Sequence, residues 1–412
     1  MGGVLTIGVQ RLPGSINPGT AHDSSSLLAV SAVHAGLYRL QSNGQPELQL
    51  LVEQPKRSDN GRRWHCKLRR GLQFHNGKRL RSHDVRDSIE RLSETPHRWL
   101  TGFLQVIIVD ARNFVIQLSR PVSRSELARL LATPALSVLS KNDSPVVGAG
   151  PFRVIRRRTR ILRLRAVGDH FAGRPYLDAI EFREVSNREE LFKYKKVDLI
   201  LTPTSKLNDA KWLDGPVRET IGLLFHPRNS GHARGDRARF WSQIPRKELV
   251  AVVAGDARVA HAFHPLDPPF RPAGKGSAGR GVEGVLMCLE SDLNTARRLA
   301  ESVAIQSHRL TVVPVSPKAF ERAQNGKSNT HWDILLVSFV HQDLVQDMAR
   351  QSLAQMVAAH AGDDAVQQLK AQLLWIPILD RKFTAAVRSN LRGLTWTQDG
   401  SLHLENAYKV MP

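Results

Sequence analysis

Apolar and polar positions alternate along residues 4–9, Val-Leu-Thr-Ile-Gly-Val, and this two-residue period predicts a short strand at the head of the chain. A turn-rich stretch over 13–19 follows, then a helix over 24–35. Ser24, Ser25 and Ser26 are its candidate caps, Leu27, Leu28, Val30, Val33 and Leu37 form its apolar side, and Gly36 ends it. From about 48 the pattern shortens to strands. Asp59-Asn60-Gly61 is a hairpin signal, and the alternation over 64–69 suits a half-buried strand. Residues 74–78 form another turn, and a helix over 82–92 is predicted with Ser82 as its cap and Asp84 in its first turn. Strands over 106–109 and 114–118 flank a hairpin loop at 110–113.

A glycine-rich corner at 145–154 leads into two basic strands, 152–158 and 160–167. A loop at 173–178, a strand at 180–185, a helix end at 192 and a strand at 197–201 complete this half. A second region begins near Ile221, with a helix over 246–253 and a Pro/Gly/Arg-rich loop over 265–284. A helix over 292–304 precedes strands at 310–315 and 333–340, which flank a helix at 317–325. That βαβ order implies a parallel pair with a right-handed crossover. A last helix at 364–374 and a strand–turn–strand close the chain, and no repeat of solenoid period is visible.

The 412 residues suffice for two or three domains, and 41% hydrophobic with 24% charged residues is the composition of a protein with a packed core. No window holds about 18 consecutive apolar residues, so no spanning helix is expected. The first residues lack the basic and apolar regions of a secretory signal. A periplasmic or cell-surface location is therefore expected if a signal has been removed, and a cytoplasmic one otherwise. The net charge of +21 is the unusual total. Its arginines are spread along the chain, which suits a solvated basic surface, although such a field also attracts polyanions. Cys66 and Cys288 are far apart and read as buried small apolar groups.

Chemical motifs are scarce. There is no phosphate loop, zinc-protease helix, nucleophile elbow or CxxC pair, and the histidines lack metal-ligand spacing. Neither a metal nor a cofactor is expected. Asp343 and Asp347 lie four apart, which suits a solvated or capping pair better than acid–base work. No nucleophile, base and oxyanion hole assemble, so an enzyme is not expected. Seven arginines crowd 153–165, and strand alternation places Arg156, Arg158 and Arg160 in one stripe, a candidate anion or partner surface. Without interleaved aromatic residues to stack bases, nucleic acid is not expected as the partner.

The order of landmarks resembles that of solute-binding protein family 5, the dipeptide-, oligopeptide- and nickel-binding proteins of ABC importers. Ala35-Gly36-Leu37-Tyr38-Arg39 is similar to the family's E-G-L signature. Trp64-His65-Cys66-Lys67-Leu68-Arg69-Arg70-Gly71-Leu72-Gln73-Phe74-His75-Asn76-Gly77 resembles its Y-x-F-x-L-R-x-G-V-x-F-H-D-G run. Val147-Gly148-Ala149-Gly150-Pro151-Phe152 resembles V-G-T-G-P-Y, Tyr176-Leu177-Asp178-Ala179-Ile180 resembles Y-L-D-x-I, and Trp332-Asp333 fits a later landmark. The likeness is good over 3–205, thin over 215–330 and fair at the C-terminal end.

The resemblance implies a two-lobed α/β fold of the periplasmic-binding-protein type (type II, cluster C) with an extra subdomain in lobe one. Lobe one comprises 1–45, 148–215 and 375–412, the extra subdomain 46–147, and a reduced lobe two 216–374. It implies a monomeric receptor that encloses a peptide or other small polar solute between its lobes and delivers it to an ABC permease. The rival expectations are an intracellular sensor or scaffold that reuses such a domain, and a basic protein that binds nucleic acid or an anionic surface. The ligand-facing residues it implies are Asn17, Tyr38, Phe339, Gln342 and Asp343. In peptide-binding members an aspartate pairs with the ligand's ammonium group; the matching place here is Gln342, with Asp343 beside it.

Overall fold

The structure, a computed structural model, describes residues 2–21, 24–95, 99–140, 147–201, 207–227, 231–250, 257–260, 281–324, 330–340, 373–397 and 402–410. The chain divides into two compact units, one mainly of Met1–Pro216 and Phe383–Pro412, the other mainly of Val217–His341 and Gln346–Lys382.

The first unit opens with β1 (Val4–Val9) and α1 (Ser24–Val33), then a hairpin of β2 (Tyr38–Leu40) and β3 (Pro46–Leu48). Strands β4 (Lys56–Ser58), β5 (Arg63–Lys67), β6 (Leu104–Ile108) and β7 (Asn113–Leu118) form a separate antiparallel sheet in the order β4-β5-β7-β6. Helices α2 (Ser82–Glu90) and α3 (Trp99–Phe103) pack on its β6, and α4 (Arg124–Leu131) packs on β2 and β3. The chain then runs through β8 (Phe152–Arg158), β9 (Ile161–Ala166), β10 (Ala179–Glu184), α5 (Arg188–Lys193) and β11 (Leu199–Leu201) into the long β12 (Ala210–Phe225).

The second unit contains α6 (Arg234–Gln243), α7 (Arg246–Val250), β13 (Ala257–Val259), β14 (Glu283–Leu289), α8 (Leu293–Ala304), β15 (Arg309–Val315), α9 (Pro317–Gln324) and β16 (Ile334–Val340). Its strand order is β15-β14-β16-β12. The chain leaves it along β17 (Trp375–Arg388) and ends in the first unit with β18 (Leu391–Arg392) paired to β19 (Tyr408–Lys409).

The main sheet of the first unit is ordered β8-β9-β10-β1-β11, followed by Ala385–Val387 of β17. β1 runs parallel to β10, Val4 opposite Ala179, and to β11, Ile7 opposite Leu199. The two-residue period sorts the faces. Leu5, Ile7, Val9, Phe152, Leu162, Leu164, Ile180 and Phe182 bury against Leu28, Ala29, Ala32 and Val33 of α1. Each such side chain contributes roughly 1.5–3 kcal/mol on full burial. On the other face Phe192 of α5 packs with Val197 and Ile200.

Several sequence expectations need correction. The strands at 309–315 and 334–340 are parallel, but β14 lies between them, paired in parallel to both. The crossover through α9 therefore skips a strand, whose Leu286, Met287 and Cys288 are buried in the core. β14 also takes the end of the loop expected over 265–284; its earlier part lies outside the described residues. Ser82 does not cap α2: it is the first helical residue and its hydroxyl donates to the Asp110 carbonyl, while Asp84 accepts from the Arg81 amide at 2.7 Å. Helix α7 is described only to Val250, and of the helix expected over 364–374 only Leu373 and Leu374 are described, and they are not helical. No helix among the described residues is long and apolar enough to cross a membrane.

Candidate functional site

In the main sheet of the first unit, β1, β10 and β11 end together at Val9, Glu184 and Leu201. In open parallel sheets ligands collect beyond such carboxyl ends. The loop leaving β1 is pinned there by Leu12, whose amide donates to Glu184 Oε2 at 3.1 Å. Asn17 lies in this loop, half-buried, and its Oδ1 accepts from the Gly19 amide at 3.1 Å. Its carbonyl accepts from the amides of Thr20 and Ala21. The side chain thus shapes an Asx-type turn.

A histidine that the sequence did not single out holds the loop to the sheet. His34, just past α1, donates from Nε2 to the Ile16 carbonyl at 2.7 Å, and its buried Nδ1 has no partner. Burial pushes its pKa down to about 3, with the backbone bond to Ile16 opposing and the charges of His75 and Arg91 adding. The Gly148–Pro151 corner packs on the same spot. A Cβ on Gly148 would lie 2.1 Å from the Val33 carbonyl oxygen, and one on Gly150 2.5 Å from the Val33 carbonyl carbon. Close backbone approach is therefore what the glycines of this motif permit. The Gly150 amide donates to the Val33 carbonyl at 2.9 Å, and His75 Nε2 bonds the Gly150 carbonyl at 2.9 Å.

Tyr38 lies in the wall of a cavity of about 430 Å³, also lined by His34 and Pro151, formed by the end of α1, the β2–β3 hairpin, the loop before β10 and residues near the C-terminus. Asn17 does not line this cavity, although His34, which holds the Asn17 loop, does. The Tyr38 hydroxyl donates to Gln54 Oε1 at 2.6 Å, and burial pushes its pKa up to about 12. Arg39 bridges Glu47 and Glu405, the latter at 2.9 Å, and His403 faces Glu405 at 2.7 Å and the Leu40 carbonyl at 3.1 Å. Burial opposes the charge on Glu405, but the bond from His403 and the nearby cations outweigh it and hold its carboxyl below the ordinary range. Both carboxylates of this cavity are therefore already balanced.

In the second unit Phe339 belongs to β16, opposite Thr220 of β12. Gln342 and Asp343 lie outside the described residues. Among the described residues no group of three or more His, Cys, Asp or Glu could hold a metal ion. Cys66 and Cys288 are buried and free; burial raises both thiols, Cys288 to about 11.

The arginine stripe differs in composition from the one expected. Arg156 and Arg158 lie on β8, but the strand ends at Arg158 and Arg160 sits in the turn to β9. The row is completed by Arg153 on β8 and by Arg163 and Arg165 on β9. All seven guanidiniums were visible in the sequence; which of them face one another depends on the cross-strand register.

Comparison with known proteins assigns the chain to a family. Residues 46–306 match the family model described as bacterial extracellular solute-binding proteins, family 5 (middle). Among curated relatives, YhjP of Bacillus subtilis (strain 168) is 33% identical over 126 residues, 29% of this chain and 22% of YhjP. The HTH-type transcriptional regulator SgrR of Photorhabdus laumondii is 25% identical over 232 residues, 54% of this chain and 40% of SgrR. The matches thus span less than half the length of either relative. Two solved structures are similar over the whole chain. The oligopeptide-binding protein AppA from Bacillus subtilis, in complex with a nonapeptide, has a TM-score of 0.79 at 17% identity and covers 100% of this chain and 99% of its own. The Escherichia coli murein tripeptide binding protein MppA has a TM-score of 0.82 at 16% identity, with the same coverage. The fold is the two-lobed α/β fold of these binding proteins, and the chain belongs to family 5 of the bacterial extracellular solute-binding proteins.

Proposed function

We propose that this chain is a solute-binding receptor that takes a peptide or other small polar solute and presents it to an ABC importer. The observation that carries the reading is the family match over residues 46–306, supported by fold similarity along the whole chain to an oligopeptide-binding and a murein tripeptide binding protein. An amine-bearing ligand needs a carboxylate; the resemblance puts Gln342 in that place, so Asp343 beside it is the carboxylate at hand, with Phe339, Tyr38 and Asn17 as further ligand-facing residues. Native mass spectrometry of the purified protein tests the reading first, by seeking a carried-over solute; calorimetric titration with short peptides follows. Asp343→Ala should weaken an amine-bearing ligand by roughly 2–5 kcal/mol, the usual loss on truncating one partner of a buried charge pair. Unchanged affinity would remove Asp343 from the site, and an empty protein that takes up no peptide would overturn the receptor reading.

The similarity to SgrR favours a second reading, a ligand-sensing domain inside a regulator. The gene sequence preceding residue 1 separates the two. An export or lipidation signal supports the receptor, and a fused DNA-binding domain supports the sensor.

A further inference from the structure

The outer strand pair of the first unit's sheet carries a dense cationic face. In the ladder between β8 and β9, Arg153 stands opposite Arg165 and Arg156 opposite Arg163, and Arg158 extends the row. The register shifts between Val154 and Arg156, and this bulge returns Arg156 and Arg158 to the face that Arg153 occupies. The opposite face is spent on the core through Phe152, Leu162 and Leu164. Arg157, paired with Leu162, belongs to that side, where its NH2 donates to the Pro13 carbonyl at 2.7 Å.

Like charges directly opposite one another destabilise a sheet, and here two such pairs are stacked. Arg153, Arg156, Arg158 and Arg165 are exposed and Arg163 is half-buried. Among the described residues none of the five has a hydrogen-bonded or ion-paired partner, and Arg163 Nε is buried without one. The acid nearest in register, Glu181 opposite Arg163 on β10, is engaged by Arg183 at 2.5 Å. No residue from 153 to 165 is a lysine. Guanidinium forks match phosphate and carboxylate geometry, whereas lysine would serve if the face only needed hydration.

We propose that this face binds the phosphate backbone of duplex nucleic acid, without reading its sequence. Charge density selects the partner. At about 3.4 Å per residue the row from Arg153 to Arg158, less the bulge, is about 14 Å long. A duplex carries one negative charge per about 1.7 Å of axis, so about eight phosphates pass along that length. An ordinary protein surface mixes both signs of charge and does not reach this density. A membrane is disfavoured because the face offers Ile155 and Ile161 but no aromatic side chain to enter the interface. The lack of aromatic residues argues against stacking single-stranded bases and leaves a duplex backbone unaffected. The inference is independent of the solute-binding reading.

Fluorescence anisotropy of the full chain with a labelled duplex, across a salt series, tests it. With five contacts, log K should fall against log salt with a slope of about −4.5, and the triple variant Arg156→Ser, Arg158→Ser, Arg163→Ser should flatten it by about 2.7. Circular dichroism checks that the variant is folded; if it is not, Arg156→Gln alone should flatten the slope by about 0.9. Absence of duplex binding at low salt would overturn the proposal, as would an unchanged slope in folded variants. Equal affinity for phosphatidylserine vesicles or polyglutamate at the same salt would overturn it too.

Discussion

Lowering the pH should loosen the first unit through His34. Its folded pKa of about 3 lies below the ordinary 6.5, so the unfolded chain takes the proton first. Stability is intact above about pH 6.5 and is lost progressively as pH falls toward the folded value. From those two values the loss between pH 7.5 and pH 5 is about 2 kcal/mol, rising toward about 5 kcal/mol below pH 3. The structural cause is specific: Nε2 is committed to the Ile16 carbonyl, and Nδ1 is buried without an acceptor for a second proton. His75 and His170 are also pushed down, chiefly by burial, so the wild-type profile contains their losses too.

The difference between two proteins isolates His34. In His34→Gln the amide can still donate toward Ile16, but nothing at this position titrates. Urea denaturation at pH 7.5, 6 and 5 gives each protein's loss, and the wild type should lose about 2 kcal/mol more than the variant. Parallel profiles would refute the reasoning. If the variant does not fold, the His34 ring resonance of the wild type serves instead: it should not titrate down to about pH 4.5, and a midpoint near 6 would be equally fatal.

Gly148→Ala should cost at least 2–3 kcal/mol, roughly the scale of overpacking against backbone, because its Cβ would meet the Val33 carbonyl oxygen at 2.1 Å; thermal denaturation reads this, and a Tm unchanged from wild type would contradict the close approach. Cys66 and Cys288 should resist a thiol reagent at pH 8 while the protein is folded and both react in denaturant, since both are buried with raised pKa values. Fast labelling of the native protein would show that either site opens.

Local signals made much of the first unit legible. Asp59-Asn60-Gly61 does form the β4–β5 connection, with positive φ at all three residues, and Asp110 holds the β6–β7 turn by accepting from the amides of Arg112 and Asn113. These turns are decided by residues within reach of one another. β12 was not legible. Over sixteen residues it contains Asp214, Gly215 and Pro216, which read as a break, and its neighbours β16 and β17 come more than a hundred residues later. α6 was hidden because its buried side includes an arginine. Arg237 lies over the Phe225 ring at 5.8 Å and donates to the His232 carbonyl, so a cation occupies a core position that sequence reading assigns to solvent.

The same distinction explains the candidate sites. The corner 148–151 was recognised as a motif, yet its physical purpose appears only when Val33 and His34, more than a hundred residues earlier, are seen against it. His34 carries no local mark, since nothing in Val33-His34-Ala35 tells a buried ring from an exposed one. The arginines were conspicuous, but alternation alone assigned Arg160 to the row. A turn at 159–160 and a bulge after Val154 reassign the row to Arg153, Arg156, Arg158, Arg163 and Arg165. A pattern of period two predicts faces only while the strand remains regular, and one extra residue exchanges the two sides. Here that exchange keeps Arg156 and Arg158 off the side that carries Phe152 and Leu164. The bulge is thus what lets a strand with four arginines in six residues sit at the edge of a buried sheet.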